Sequence, residues 1–119
     1  MAAKAAIVLL AGAENPEGLG RVVNALTTAK EFKQEGDEVT VILDGAGTTV
    51  VRDLTKPDHK YSRLFAEVRD VIGGACAYCS KAYGVGTEVE REQITLLDDF
   101  DEHPSIRTFA VEGYLILTF

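Results

Sequence analysis

The two cysteines of the chain, Cys76 and Cys79, are the residues whose type and spacing point most directly to chemistry. Two thiols separated by two residues can form a reversible dithiol couple, carry a sulfur atom as a persulfide, or supply half of a metal site. A thiol near the N-terminus of a helix is favoured as the thiolate, because the peptide dipoles stabilise negative charge there. We therefore expect Cys76 to have a lowered pKa and to act as a nucleophile.

Other interpretations of the cysteine pair remain open. Free cysteine is among the most buried residue types, so both thiols could be small core hydrophobes. A zinc site needs further ligands, and the two histidines, His59 and His103, match no zinc-finger spacing with the pair. The sequence therefore predicts no metal and no cofactor, with His59 as a solvated turn residue and His103 at a helix start. A thioredoxin-like site would lie earlier in the chain and open a long helix.

The first half of the chain has the pattern of a βαβ unit. The continuous apolar run at 5–11 is typical of a central parallel strand covered on both faces. Asn15 is suited to cap an amphipathic helix that Gly36 ends. The β-branched run at 39–43 predicts a second strand, which leads into a flexible loop at 44–47. Two parallel strands joined in this way require a right-handed crossover.

The second half continues this alternation with shorter patterns. The expected elements are, in order, a helix over 61–72 stopped by Gly73-Gly74, a strand over 75–78 and a short helix over 80–83. Residues 94–97 fit either a further strand or part of a helix. A solvated acidic loop at 98–102, a helix over 104–111 and a buried final strand at 114–119 follow. We also expect Tyr78 and Tyr83 to pack in the core; the alternative is that they line a pocket or a subunit contact. The fold class is therefore α/β, a three-layer arrangement with a mainly parallel sheet of about five strands and helices on both faces. The cysteines then lie at the carboxyl edge, where open α/β sheets bind ligands.

Composition narrows the class of protein. A chain of 119 residues, 46% hydrophobic and 26% charged, fits one soluble domain with its own core. The net charge of −7 argues against nucleic-acid binding, which needs a basic face. The apolar run after Lys4 partly resembles a signal peptide, but Glu14 and Asn15 follow at once, and no run reaches the roughly 18 residues of a membrane span. We therefore expect a cytoplasmic protein without a membrane partner.

The segment GGACAYCSKAYGV at 73–85 resembles the cysteine loop of the DsrE/DsrF-like sulfur-relay family. In that loop a strand-end cysteine precedes a glycine-hydrophobic pair by eight residues, and Cys76 and Gly84-Val85 have this spacing. The resemblance extends to the Asn-Pro-Glu helix start at 15–17, the second strand ending at Asp44-Gly45 and the closing GYLILTF segment. It covers most of the chain, so residues 1–119 are interpreted as a single DsrE-like α/β domain.

The resemblance implies that Cys76 accepts sulfane sulfur as a persulfide and passes it on, as a sulfurtransferase or sulfur carrier does. Only some members of the family have a second cysteine, and we interpret Cys79 as a resolving thiol. The resemblance also implies a homo-oligomer, a trimer or hexamer, that meets sulfur donor and acceptor proteins. The alternatives are a non-catalytic oligomeric subunit or binding module with structural cysteines, and a CxxC dithiol redox switch.

Overall fold

The structure, a computed structural model, describes residues 2–119 and contains one five-stranded sheet. Its strands are β1 (Lys4–Leu9), β2 (Glu38–Leu43), β3 (Ile72–Cys76), β4 (Leu96–Leu97) and β5 (Leu115–Thr118). The strand order is β4-β3-β2-β1-β5, and all neighbours pair in parallel. The predicted α/β class and number of strands are therefore confirmed.

Six α-helices connect the strands within the described residues. They are α1 (Pro16–Gln34), α2 (Val50–Leu54), α3 (Ser62–Val68), α4 (Ala77–Ala82), α5 (Gly86–Arg91) and α6 (Ile106–Val111). The start and end of α1 agree with the sequence prediction. The Asn15 side chain accepts a hydrogen bond from the Gly18 N–H at 2.8 Å, and Gly36 has a φ of 78° just beyond the last turn. No helix among residues 2–119 is long and apolar enough to cross a lipid bilayer.

The order of the strands places the helices in two layers. The first three crossovers step in one direction along the sheet, whereas the last returns from β4 to β5 at the opposite edge. Because such crossovers are right-handed, α6 lies on the face opposite α1, α2, α3 and α5. The main core lies on that first face, where Ile7, Val41 and Ala75 pack against Val22 of α1 and Phe65 of α3. Helices on both faces of one sheet make the three-layer architecture.

The predicted helix over 61–72 is wrong at its end. The α-helix stops at Val68, a single 3₁₀ turn follows at Arg69–Val71, and β3 already begins at Ile72. Gly73 and Gly74 therefore lie inside a strand instead of stopping a helix. A Cβ atom on Gly74 would lie 2.6 Å from Leu97 Cγ, so the glycine allows β3 and β4 to approach closely.

The segment that follows β2 is helical and not the flexible loop that the sequence predicts. A 3₁₀ helix at Gly45–Thr49 continues directly into α2. The Asp44 side chain accepts a hydrogen bond from the Gly45 N–H at 2.8 Å and caps this turn. Thr48 and Thr49 are buried, and their hydroxyl groups donate to main-chain carbonyls three residues earlier. These internal hydrogen bonds allow the turn to pack against the sheet.

The end of the chain also differs from the prediction. The buried final strand is an edge strand, β5, which pairs only with β1. Leu115 in this strand is 55% exposed. The sequence gives no sign of α5 beyond the turn at 84–86, since its six residues are too few to show a helical repeat.

Candidate functional site at the carboxyl edge of the sheet

Four side chains that can bind metals or move protons meet at the carboxyl edge of the sheet. They are Asp44, which follows β2, Cys76 at the end of β3, Cys79 in α4, and His103 in the loop before α6. One carboxylate, thiol or imidazole atom of each lies within 4.8 Å of the others. We refer to these four residues as the Cys-His-Asp cluster.

The parallel register of β2 and β3 accounts for the first two members of the cluster. Leu43 pairs with Ala75, so the next residues along each strand, Asp44 and Cys76, leave the sheet side by side. Cys76 then serves as the N-cap of α4, and its Sγ accepts a hydrogen bond from the Cys79 N–H at 3.4 Å. The two-residue spacing thus places the second thiol one helical turn further on, at the same edge.

A tight turn in the acidic loop places His103 against the first cysteine. The Nδ1 atom of His103 lies 3.2 Å from Cys76 Sγ. Asp101 and Glu102 adopt positive φ angles of 49° and 66°, and the Glu102 carbonyl accepts a hydrogen bond from the Tyr78 N–H at 2.9 Å. The Tyr78 and His103 rings contact each other with centroids 4.9 Å apart. The loop is therefore fixed to α4 by its main chain and by a ring contact.

The sequence interpretation missed this histidine. It places His103 at a helix start, and His103 does lie two residues before the N-cap Ser105, but nothing local indicates its contact with Cys76, 27 residues away. The useful signal is topological. The loop follows β4, which pairs with β3, so its first residues emerge at the same edge as Cys76. His59 forms a local turn contact, its Nδ1 accepting from the Tyr61 N–H at 3.0 Å.

Asp44 contributes a carboxylate that has no cationic partner. Its Oδ1 accepts hydrogen bonds from the Gly45 N–H at 2.8 Å and from Cys79 Sγ at 3.4 Å. No ion pair between residues 2 and 119 involves Asp44. The carboxylate of the cluster therefore lies beside two thiols and is not paired with a lysine or arginine.

Burial dominates the acid–base behaviour of Cys76. The residue is 0% exposed, and this burial raises the pKa of its thiol to about 12. The Cys79 N–H lowers the pKa and opposes the shift, whereas the Cys79 thiol and the Asp44 carboxylate add to it. The expected lowering of the pKa by α4 is therefore wrong, because one short helix does not offset complete desolvation. A thiolate at Cys76 requires a proton acceptor or a cation in direct contact.

The aromatic residues near the cluster are more exposed than the sequence predicts. Tyr78 is 52% and Tyr83 is 48% exposed, so the prediction that both pack in the core is wrong. Both lie on or just after α4, whose buried residue is Ser80. Tyr78 and Glu102 also line a shallow cleft of about 210 Å³ on the outer side of the cluster. Cys79 is half-buried and both cysteines are free thiols.

No family model matches the chain. The chain is 28% identical over 104 residues to the uncharacterized protein MJ0733 of Methanocaldococcus jannaschii, and the alignment covers 87% of this chain and 84% of that protein. The structure of the conserved protein of unknown function BT1422 from Bacteroides thetaiotaomicron is similar in fold. Its TM-score is 0.63 at 19% identity, with 96% of this chain and 94% of that chain covered. Neither name states an activity.

The geometry permits three kinds of chemistry. Cys76 with His103 is a nucleophile beside a base, Cys76 with Cys79 is a dithiol, and all four residues together are a set of metal ligands. Both cysteines are free thiols, and their sulfur atoms lie within 4.8 Å of each other. The pair is therefore a reduced dithiol here.

Proposed function

We propose that this protein carries sulfur as a persulfide on Cys76, the role that the resemblance to the DsrE/DsrF-like sulfur-relay family implies. The observation that supports this proposal most is the 3.2 Å contact between Cys76 Sγ and His103 Nδ1. A cysteine in contact with a histidine is a common activated nucleophile, because the imidazole can take the thiol proton. The pair lies at the edge of the sheet where α/β proteins bind their substrates.

The loading step needs no oxidant. His103 Nδ1 accepts the proton of Cys76, and the thiolate attacks the outer sulfur of a donor persulfide, R–S–SH. A bond forms between Cys76 Sγ and that sulfur, the donor S–S bond breaks, and the leaving thiolate takes the proton from the imidazolium. The products are a Cys76 persulfide and the donor thiol. An acceptor thiolate that attacks the outer sulfur then regenerates the Cys76 thiolate.

We assign Cys79 the role of a resolving thiol. Its sulfur lies within 4.8 Å of Cys76 Sγ. Attack of Cys79 on the inner sulfur of the persulfide forms a Cys76-Cys79 disulfide and releases the outer sulfur as sulfide. The disulfide then needs a two-electron reductant, such as the cellular thiol pool, to return to the dithiol. This step makes sulfide release an alternative to transfer onto an acceptor.

Access to Cys76 requires movement of the loop that covers it. The thiol is 0% exposed and contacts the Glu102 carbonyl at 3.8 Å as well as His103. In our proposal the donor approaches through the cleft beside Tyr78, and the turn at 100–103 moves aside. A donor protein that contacts this turn would therefore promote its own reaction.

The proposed partners are further copies of the chain, in a trimer or hexamer, together with a sulfur donor and an acceptor protein in the cytoplasm. Exposed aromatic residues beside the cluster support a contact surface: Tyr78 is 52% and Phe100 is 68% exposed, and such side chains are enriched at interfaces. Light scattering should give a trimeric or hexameric mass, and Phe100→Ser should lower it. A monomer at micromolar concentration would contradict the assembly.

Intact-mass spectrometry tests the sulfur chemistry. Reduced, chelator-treated protein is incubated with cysteine persulfide, and a gain of about 32 Da, one sulfur atom, is expected. Cys76→Ser should abolish the gain, whereas Cys79→Ser should preserve and prolong it, because the resolving thiol is lost.

Two outcomes would contradict the proposal. A sulfur adduct that survives Cys76→Ser places the carrier elsewhere. A Cys76-Cys79 disulfide that forms in glutathione buffers, without any sulfur adduct at short times with the persulfide, favours the redox switch.

A further inference from the structure

We propose that the Cys-His-Asp cluster is a zinc site in which Asp44, Cys76, Cys79 and His103 each supply one ligand atom. The proposal goes beyond sulfur transfer and does not depend on it, since it needs only the positions and types of the four side chains. The sequence predicts no metal because it considers the cysteine pair with histidines alone. The structure adds a carboxylate from the end of a neighbouring strand.

The distances within the cluster suit a tetrahedral zinc ion. Zinc binds sulfur at about 2.3 Å and nitrogen or oxygen at about 2.0 to 2.2 Å, so neighbouring ligands of a tetrahedron are about 3.3 to 3.8 Å apart. Cys76 Sγ lies 3.2 Å from His103 Nδ1, and Cys79 Sγ lies 3.4 Å from Asp44 Oδ1. All four residues have a ligand atom within 4.8 Å of the rest. Small side-chain adjustments therefore suffice to surround the ion.

The chemical types of the ligands favour zinc over magnesium or calcium. Two sulfur ligands and one imidazole are soft or borderline donors, which the hard oxygen-seeking cations do not select. Two thiolates and a carboxylate would carry three negative charges, and a divalent cation compensates two of them. Asp44 forms no ion pair with a lysine or arginine among residues 2–119, so its charge is available to the metal.

Hydrogen bonds and packing already orient the ligands from outside the cluster. The Gly45 N–H holds Asp44 Oδ1 at 2.8 Å, and the Tyr78 ring contacts the His103 ring. Such outer partners reduce the freedom that a ligand loses when the metal binds. The ligands come from the ends of β2 and β3, from α4 and from the loop before α6, so zinc would fasten that loop to the sheet.

A zinc ion at this position also affects the proposed sulfur chemistry, a consequence that does rest on the proposed function. The ion would occupy both sulfur atoms, so Cys76 could not attack a persulfide while zinc is bound. Zinc binding is measured without any sulfur donor, and sulfur loading is measured in the presence of a chelator. Failure of one proposal can thus be distinguished from failure of the other.

The direct test uses the full chain, reduced and stripped of metal with a chelator. Zinc chloride is titrated into the protein in competition with a chromophoric chelator, and one zinc ion per chain is expected. Cobalt(II) in place of zinc should give sulfur-to-cobalt charge-transfer absorption together with the visible bands of tetrahedral cobalt. Failure to bind stoichiometric zinc, or a cobalt spectrum without the charge-transfer band, would overturn the proposal.

Variants that keep both cysteines decide whether all four ligands take part. Asp44→Asn and His103→Gln should each weaken zinc binding at least tenfold, since loss of even an outer partner of a metal ligand costs about 10- to 100-fold. Asp58→Asn and His59→Gln are matched controls in the 56–61 loop, outside the cluster, and should bind zinc as the wild type does. Wild-type affinity in either cluster variant would overturn the four-ligand assignment, as would an equal loss in the controls. Circular dichroism establishes that each variant is folded before its affinity is compared.

Discussion

Two regions of the same sheet edge differ in what they offer a ligand. At the end of β1 lies a cleft of about 280 Å³ lined by Glu14, Arg21 and Thr49, among others. It has space but no cysteine or histidine, and Arg21 is paired with Glu17 at 2.8 Å. At the ends of β2 and β3 lies the Cys-His-Asp cluster, which has reactive groups but whose Cys76 is fully buried. Space for a ligand and reactive side chains therefore lie at the ends of neighbouring strands, so the larger cleft is a poor guide to the chemistry.

The largest expected effect is on sulfur loading, which should depend on the Cys-His-Asp cluster and not on the cleft at the end of β1. Cys76→Ser should abolish the persulfide adduct, whereas Arg21→Gln in the cleft should leave both its rate and its yield unchanged. Mass spectrometry over a time course with cysteine persulfide makes the comparison. A strong loss of loading in Arg21→Gln would show that the donor binds in the cleft, and the functional contrast between the regions would fail.

The next largest effect concerns the base in the cluster. His103→Gln preserves the size and polarity of the side chain but cannot take up the thiol proton. We expect the loading rate to fall by about a hundredfold, the lower end of what a positioned general base contributes. His59→Gln, the other histidine variant, should load at the wild-type rate. Equal loading rates for wild type and His103→Gln would show that His103 is not the base in the loading step.

A smaller effect, on stability, tests the packing of the 3₁₀ helix at Gly45–Thr49, which lies between the cluster and the cleft. A Cβ atom on Gly47 would overlap the Leu9 main chain, whereas a Cβ on Gly20 in α1 meets nothing within 4 Å. Gly47→Ala should therefore lower the free energy of unfolding by about 1 to 3 kcal/mol, the usual cost of overpacking. Gly20→Ala should be neutral or stabilising, because alanine favours the helix. Urea denaturation followed by circular dichroism measures both, and equal stability of the two variants would contradict this packing.

The smallest effect follows from the burial of Cys76. Its pKa is raised to about 12 in the folded chain from an ordinary 9.0, so its contribution to stability is complete below pH 9 and is lost as pH rises towards 12. Between pH 8 and pH 10 the free energy of unfolding should fall by about 1 kcal/mol more in metal-free wild type than in Cys76→Ala. Identical pH dependence in the two proteins would show that Cys76 is not desolvated.

Much of the fold could be predicted because its signals are local. The cap at Asn15, the glycine after α1 and the apolar run of β1 each act through neighbours in sequence, and each prediction agrees with the structure. Predictions failed where a distant strand decides the outcome. Gly73 and Gly74 look like a helix stop, but they allow β3 to approach the strands on either side.

In the candidate site, too, the local features could be predicted and the long-range contacts could not. A strand end and a short helix at the cysteine pair could be predicted from the local sequence, but β3 ends at Cys76 and not at Tyr78, and α4 begins at Ala77 and not at Ser80. The contacts of Asp44 and His103 with the two cysteines, and the burial of Cys76, depend on how the strands and loops are arranged in space. Pairing of β3 with β2 and β4 brings together residues 26 to 35 positions apart. No local pattern encodes such a contact or the loss of water that accompanies it.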